Sequence, residues 1–254
     1  MNITPIEFND FTGKIVKSFL ICADERFKKV FGEEGGYKEF HITPLLDEEG
    51  RAIYPRKVVK CSFCKDKKPK GEGRVRIPDV AYFEVSGKKE WLTSLFSYTS
   101  CSLSIKGIKI DIESVEVEEE EIELGDGDGI FIKFRGPAVL RDPWHRPGGE
   151  LRSRFLPSPS HLFSTNVYSL FREKYFEVLM ELEKALVEDH SALNSLGKVW
   201  YYYGGKWLPA LSGSIIFWLR EMNDIVKHTL LHASYFGVGS GRAAGFGDIV
   251  LNVF

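Results

Sequence analysis

Five glycines and one arginine near residue 240 have the types and the spacing to hold a phosphate. They lie in "GVGSGRAAGFG", which contains Gly237, Gly239, Gly241, Arg242, Gly245 and Gly247. Glycine lets backbone amides approach phosphate oxygens closely, and successive amides in a turn form an anion-binding nest. An arginine beside such a nest adds a bidentate positive charge for a phosphate or a base edge. This loop is therefore a candidate anion-binding site.

The glycines do not form a dinucleotide-binding fingerprint. That fingerprint needs a strand before the glycines, a helix after them and an acidic residue about 20 positions further on. Here the pattern predicts a helix over 223–236, with Asn223 as its N-cap and Gly237 at its end, and a strand at 249–254 after the loop. The order is reversed, so we expect no nicotinamide cofactor.

Charge is segregated along the chain although the net charge is only −2. Residues 51–76 hold ten Lys and Arg against two acids, and residues 111–128 hold ten acids and no base. Such segregation allows a basic face for a polyanion beside an acidic face in water, although two solvated loops without a partner would look the same.

Composition indicates an intracellular, cytoplasmic protein without a membrane segment. No apolar run approaches the roughly 18 residues of a membrane span, and the first residues lack the pattern of a signal peptide. The four cysteines are too few and too scattered for a disulfide framework. Cys61 and Cys64 form a single CxxC motif, which indicates a hairpin more than a zinc site, and we expect no metal and no cofactor.

Hydrophobic periodicity predicts the same order of elements in both halves of the chain. In the first half we predict strands at 2–8, 37–46, 79–85 and 108–123, with helices at 13–30 and 89–98. In the second half we predict a strand at 130–140, a long helix at 161–186, a hairpin around Gly204–Gly205, the helix before Gly237 and the last strand. Each half reads strand, helix, strand, strand, helix, strand. The predicted fold is α+β, with two tandem ferredoxin-like (RRM-like, βαββαβ) domains at 1–125 and 130–254. The first strand is short, so we expect the first domain to be irregular at its start.

The sequence resembles the RAMP superfamily of CRISPR-associated RNA-binding proteins. "GVGSGRAAGFG" is similar to the glycine-rich loop that precedes the last strand in that superfamily. "FTGKIVKSFL" and "YKEFHITPLL" resemble the first helix and second strand of its Cas-six endoribonuclease branch, and "IFIKFRGPAVL" resembles the strand that opens the second domain.

The resemblance implies a metal-independent endoribonuclease that cuts CRISPR precursor RNA within its repeats. In the family's reaction, the RNA's own 2′-hydroxyl attacks the adjacent phosphorus and leaves a cyclic 2′,3′-phosphate and a free 5′-hydroxyl. The implied partner is repeat RNA, and a CRISPR effector complex or a second copy of the chain stays open. The alternative function is a non-catalytic RAMP subunit that binds RNA in an effector complex. A general RRM-like binder is less favoured, because "VAYFEV" and "VWYYY" lack the Lys/Arg-Gly start of the RNP consensus.

The resemblance also implies the site residues. Many family members place a catalytic His between the first helix and the second strand, and this chain has none there. His41 lies inside the predicted strand and out of phase with Phe40 and Ile42, so it is a weaker candidate. Basic residues at matching places are the predicted catalytic group: Lys14, Lys17 and Lys38, with Tyr37 beside Lys38. Their mutual repulsion should lower their pKa values.

The predicted RNA-binding residues fall into two sets, because phosphate contacts need cations and close backbone approach. The first set is the loop, namely Gly237, Gly239, Ser240, Gly241, Arg242, Gly245 and Gly247. The second set is the basic connection, with Arg56, Lys57, Lys60, Arg74 and Arg76, and with Arg152 and Arg154 as further contributors. His228 and His232, four residues apart on one predicted helix, are interpreted as capping or RNA-facing groups and not as metal ligands.

Overall fold

The computed structural model describes residues 1–32, 38–58, 68–97, 100–144 and 153–254, and for residues 153–154 and 192–194 it describes the backbone alone. The chain divides into two compact units. Unit 1 holds Met1–Glu120, Trp200–Pro209 and Ala243–Gly245; unit 2 holds Glu121–Val199, Ala210–Arg242 and Phe246–Phe254. The predicted joint at 125–129 lies near the main border, and the predicted domain bounds stay a prediction.

Unit 1 is built from short strands around two helices. Its elements are β1 (Asn2–Ile3), β2 (Ile6–Phe8), α1 (Gly13–Ala23), α2 (Phe27–Gly32), β3 (Phe40–Ile42), β4 (Arg56–Val58), β5 (Val75–Ile77), β6 (Val85–Gly87), α3 (Lys89–Leu92), β7 (Cys101–Ile105) and β8 (Ile108–Ser114). The helix predicted at 13–30 divides at Asp24, whose carboxylate accepts the Arg26 amide at 2.9 Å. The strand predicted at 108–123 ends at residue 114 and is the second arm of a hairpin, whose first arm β7 the sequence analysis missed.

Strand pairing in unit 1 gives the ferredoxin-like order in pieces. β7 pairs with β8, and β8 pairs with β1, both antiparallel. Single bridges join Asn2 to Val80 and Leu46 to Tyr82, and β3 pairs with β6. The start of the unit is irregular, as predicted, because a two-residue strand forms few ladder hydrogen bonds.

Helix α1 buries one face and leaves lysines on the other. Ile15, Val16, Phe19 and Leu20 are buried in the unit 1 core, and each such side chain contributes roughly 1.5–3 kcal/mol. Lys14 and Lys17 lie three apart on the opposite side and remain partly exposed. The apolar face therefore fixes the direction in which these lysines point.

Unit 2 has the predicted order of elements around one continuous sheet. Its elements are β9 (Gly129–Ala138), β10 (Leu140–Arg141), β11 (Ser153–Arg154), α4 (Pro159–Leu170), α5 (Tyr175–Ala185), β12 (Leu186–Glu188), β13 (Gly197–Tyr203), β14 (Lys206–Leu219), α6 (Asp224–Phe236) and β15 (Ile249–Val253). The hairpin end of β13 and β14, within Trp200–Pro209, is counted in unit 1. The sheet order is β15, β9, β14, β13, with β12 against the end of β14. This is the strand order of a ferredoxin-like sheet.

The long helix predicted at 161–186 is two helices. Phe171 leaves helical geometry (φ −133°, ψ 43°), and a 3₁₀ turn at Arg172–Lys174 leads into α5. The break lets both helices bury their apolar faces in one core, with Val167 on α4 and Leu182 on α5 fully buried.

Two local expectations have different outcomes. Asn223 caps α6, because its side-chain oxygen accepts the Val226 amide at 3.0 Å. The sequence predicted no disulfide framework, but one disulfide is present: Cys22 at the end of α1 is bonded to Cys101 at the start of β7. The sequence separation of 79 residues gave no sign of this pairing.

Candidate active site

A buried carboxylate, Asp10, organises the charged residues at the start of α1. Its Oδ2 accepts Lys14 Nζ at 2.6 Å and Lys106 Nζ at 2.5 Å, and its Oδ1 accepts the amides of Phe11 at 2.8 Å and Gly204 at 3.0 Å. Burial raises the pKa of a carboxyl group, but the bonds from Lys106, Lys14 and the two amides outweigh it and hold the pKa of Asp10 below its ordinary value. Asp10 is therefore a fixed negative charge beneath two ammonium groups.

The three lysines predicted as a catalytic group lie close enough to influence one another. Burial lowers the pKa of Lys17, and the positive charges of Lys38 and Lys14 lower it further. The Lys17 ammonium lies 5.0 Å from the centre of the Phe31 ring, and Lys14 lies 4.6 Å from that of Tyr203. The predicted mutual repulsion is thus present at Lys17.

Two tyrosines near Lys14, Tyr201 and Tyr203, have raised pKa values and do not act as bases. Burial, followed by the neighbouring Tyr203, raises the pKa of Tyr201 to about 12. Burial, followed by the negative charge of Asp10, raises the pKa of Tyr203. Both hydroxyls therefore keep their protons near neutral pH. Tyr37, the predicted neighbour of Lys38, lies outside the described residues.

His41 is buried in unit 1. It pairs with Ser86 across β3 and β6 and is only 3% exposed. The sequence phase put it on the side of the strand opposite Phe40 and Ile42, and all three residues are in fact buried. Because it is buried, His41 stays a weaker catalytic candidate than Lys14, Lys17 and Lys38.

The five loop glycines are needed first for the path of the backbone. All five have φ between 65° and 92°, in the left-handed region. A Cβ on Gly247 would lie 1.8 Å from the carbonyl oxygen of Val238, and one on Gly241 would lie 2.5 Å from the Phe246 ring. Among the predicted RNA-binding residues of the loop, only Ser240 and Gly241 are not buried: Ser240 is partly exposed and Gly241 is exposed. The part of the loop that an anion can reach is therefore its tip, at Ser240 and Gly241.

Arg242 lies in a buried 3₁₀ turn, Arg242–Ala244, and is 5% exposed. In this placement its guanidinium is not offered to a phosphate, contrary to the expectation of an accessible charge. The physical reason is the tight backbone of the loop, which turns this side chain inward. A second arginine, the partly buried Arg135, forms a bidentate pair with Asp248, both N–O distances being 2.9 Å.

The basic connection supplies exposed cations in unit 1. Arg56 and Lys57 lie on β4, Arg74 precedes β5, and Arg76 lies within β5 opposite Glu7. All four side chains are exposed. Lys60 and Arg152 lie outside the described residues, as does the side chain of Arg154. The acidic segment 116–123 is mostly exposed, as expected for a solvated face.

Metal ligands do not cluster in the described part of the chain, where no group of three or more His, Cys, Asp or Glu could hold an ion. Cys61 and Cys64 lie outside that part, and the disulfide occupies the other two cysteines. The Nδ1 atom of His232 lies 3.0 Å from the Nδ2 atom of Asn166, and the His232 ring stacks on the Phe236 ring. Among the described helices, none has the length and apolar character to cross a membrane.

Asp10 and Lys106 are site residues that the sequence pattern did not predict. Lys106–Gly107 is a hairpin turn in which both residues have positive φ. A lysine in place of the usual Asn or Asp of such a turn was the available signal. Asp10 had no comparable signal, because its role depends on burial.

Comparison with known proteins finds one similar family and a set of solved structures with the same fold. Residues 132–249 match the family model described as CRISPR-associated endoribonuclease Cas6. This match confirms the predicted resemblance to the Cas-six branch. No curated protein sequence matches the chain.

Solved Cas6 structures share the fold of the whole chain. A Thermus thermophilus Cas6 product complex has a TM-score of 0.57 at 14% identity, covering 98% of this chain and 99% of that chain. A Cas6-related protein from Pyrococcus furiosus has a TM-score of 0.55 at 12% identity, covering 98% and 96%. A second Cas6 product complex has a TM-score of 0.55 at 13% identity, covering 99% of both chains. The predicted α+β fold with tandem ferredoxin-like domains is confirmed.

Proposed function

We propose, from the Cas6 family match over residues 132–249, that this chain is an endoribonuclease that processes CRISPR repeat RNA. That family match carries the proposal, and the cluster of Lys14, Lys17 and Lys38 supports it, since burial and then the charges of Lys38 and Lys14 lower the pKa of Lys17. Repulsion among lysines is unfavourable without a ligand, and an anion placed among them relieves it. The scissile phosphodiester is that anion.

The proposed reaction is the one that the resemblance to the Cas-six branch implies. The 2′-hydroxyl of the RNA loses its proton to solvent, and its oxygen forms a bond to the adjacent phosphorus while the bond from phosphorus to the 5′-oxygen breaks. Lys14 and Lys38 stabilise the negative charge of the phosphorane, and Lys17 gives its proton to the departing 5′-oxygen. Tyr37 donates a hydrogen bond at the same phosphate. The products are a cyclic 2′,3′-phosphate and a 5′-hydroxyl, and no metal takes part.

RNA binding is proposed to use exposed cations and the loop tip. Arg56, Lys57, Arg74 and Arg76 neutralise backbone phosphates, together with Lys60 of the same connection. At the glycine-rich loop, Ser240 and the amides of Gly239 and Gly241 bind a further phosphate. Arg242 and the other loop glycines support this backbone.

The second candidate is a non-catalytic RNA-binding subunit of a CRISPR effector complex. It is favoured by one observation: no His lies between α1 and β3, and His41 is buried. A protein of that kind would bind repeat RNA tightly and leave it intact.

The test is single-turnover incubation of the purified chain with end-labelled CRISPR repeat RNA in EDTA. We expect one cut within the repeat, with a cyclic phosphate on the 5′ fragment and a hydroxyl on the 3′ fragment. An RNA with a 2′-deoxy substitution at the cut site should remain intact. Tight binding without any cut would support the second candidate, and cutting only after a divalent metal is added would contradict the mechanism.

A further inference from the structure

Lys106 occupies a backbone position that a lysine rarely adopts. It is the first residue of the turn between β7 and β8, with φ 51°, and Gly107 follows with φ 78°. Among the described residues, Lys106 is the one non-glycine residue with positive φ. Such turns favour Asn-Gly or Asp-Gly, because a long side chain gains nothing from this geometry. An unfavourable backbone position of this kind is often associated with a functional side chain.

The side chain of Lys106 joins it to Lys14. Both ammonium groups bond Asp10 Oδ2, at 2.5 and 2.6 Å, so the two nitrogens lie within about 5 Å of each other. That separation allows one phosphate group to contact both. The Lys106 side chain is 42% exposed and that of Lys14 is 24% exposed, whereas Asp10 is inaccessible.

The charges of the cluster leave it open to an anion. One carboxylate faces two ammonium groups, so Asp10, Lys14 and Lys106 together carry one net positive charge. Each ammonium has three N–H donors, and its bond to Asp10 uses one of them. Asp10 cannot touch a ligand itself, because it accepts four hydrogen bonds and is fully buried.

We propose that Lys106 is a fourth cation at the scissile phosphate and that Asp10 is a positioning residue that aims Lys14 and Lys106 at it. This inference rests on the proposed function. Lys106 stabilises the phosphorane by a direct contact, and Asp10 acts only through the two lysines. The strained turn brings the Lys106 ammonium to Asp10.

The first variant is Lys106→Asn, which removes the ammonium and retains a residue suited to positive φ. We expect the single-turnover cleavage rate to fall about 10- to 100-fold, with a smaller loss of affinity and an unchanged or higher melting temperature. Lys106→Arg keeps the charge and should recover much of the rate. The matched control is Lys109→Ala, on the same hairpin, where the lysine is 73% exposed and pairs with Asp111 at 3.0 Å; its rate should equal that of wild type.

A double-mutant cycle tests the positioning role of Asp10. Asp10→Asn keeps an oxygen for the amides of Phe11 and Gly204 and removes the charge that holds the lysines. If Asp10 acts through Lys106, this change should slow cleavage less in the Lys106→Asn background than in wild type. Equal effects in the two backgrounds would remove Asp10 from the proposal.

The outcomes separate this inference from the proposed function. Wild-type protein that leaves repeat RNA uncut overturns the proposed function. Wild-type protein that cuts, with Lys106→Asn cutting equally fast, overturns the inference alone and makes the pair of Lys106 with Asp10 structural. If Lys106→Asn cuts more slowly but also has a lower melting temperature, the slower rate reflects lost stability. That result also overturns the inference.

Discussion

The glycine-rich loop and the charged face of α1 differ in how visible each is in the sequence and in what each provides. The loop is conspicuous, yet most of it is buried and its glycines follow from backbone geometry. The lysines of α1 are ordinary by spacing, yet the fold places Lys14 and Lys17 with Lys38 and shifts the pKa of Lys17. A conspicuous motif can therefore be mainly architectural, while ordinary residues gain their chemistry from neighbours distant in sequence.

The largest expected effect concerns the architecture of the loop. Gly247→Ala should lower the free energy of unfolding by roughly 3 kcal/mol or more, because the new Cβ overlaps the Val238 carbonyl in a left-handed backbone. Gly50→Ala is the control, since Gly50 has φ 69° with open space around it and should cost only about 1–2 kcal/mol. Urea unfolding of both variants measures the difference, and equal losses would contradict an architectural role.

The next effect concerns catalysis by the lysines. Replacing Lys14, Lys17 or Lys38 by Ala should slow single-turnover cleavage by ~10²–10³-fold and weaken RNA binding far less. Lys28→Ala is the control, because Lys28 is exposed on α2 and pairs with Glu25 at 2.6 Å. Normal cleavage by all three variants would move the active site elsewhere, with His41→Ala as the next variant to measure.

The pH dependence of cleavage sharpens the assignment of Lys17. A proton donor is lost as pH rises through its pKa, so the rate should fall with a midpoint below the ordinary lysine value of 10.5. Lys38→Met removes a positive charge that lowers the pKa of Lys17, so the midpoint should move to higher pH. Lys17→Arg should move it in the same direction. A midpoint that is identical in all three proteins would assign the alkaline limb to another group.

A smaller effect is expected at the exposed tip of the loop. Ser240→Asp puts a negative charge beside the amides proposed to bind phosphate, and affinity for repeat RNA should fall about tenfold. Ser240→Asn adds no charge and should bind within about twofold of wild type. If both variants bind like wild type in a filter-binding assay, the loop is architectural throughout.

The smallest effects belong to single cations of the basic connection. Lys57→Ala or Arg74→Ala should each weaken binding several-fold and reduce the salt slope of log affinity by about 0.7–0.9. Arg51→Ala is the control, because Arg51 is already paired with Asp47 at 2.8 Å and Glu49 at 2.7 Å. Unchanged slopes for Lys57 and Arg74 would exclude phosphate contacts there.

The amino-acid sequence determined the fold class and the order of elements, because local patterns carry them. The bounds of α6 were predictable from its apolar periodicity, its Asn223 cap and the glycine at 237. The position of the hairpin turn was predictable from the two glycines at 204–205. The division of the predicted helix at Phe171 and the missed strand β7 depended on how helices share a core and how a hairpin pairs. Those are contacts between residues far apart in sequence.

For the site, the sequence supplied Lys14, Lys17 and Lys38 only through a family resemblance. Tertiary structure alone decided that Asp10 holds Lys14 and Lys106, that Arg242 is buried and that Cys22 meets Cys101. The physical reason is that a side chain's exposure and pKa are set by desolvation and by nearby charges. A sequence shows which charges a chain contains, and only folding brings Lys106 within 2.5 Å of Asp10.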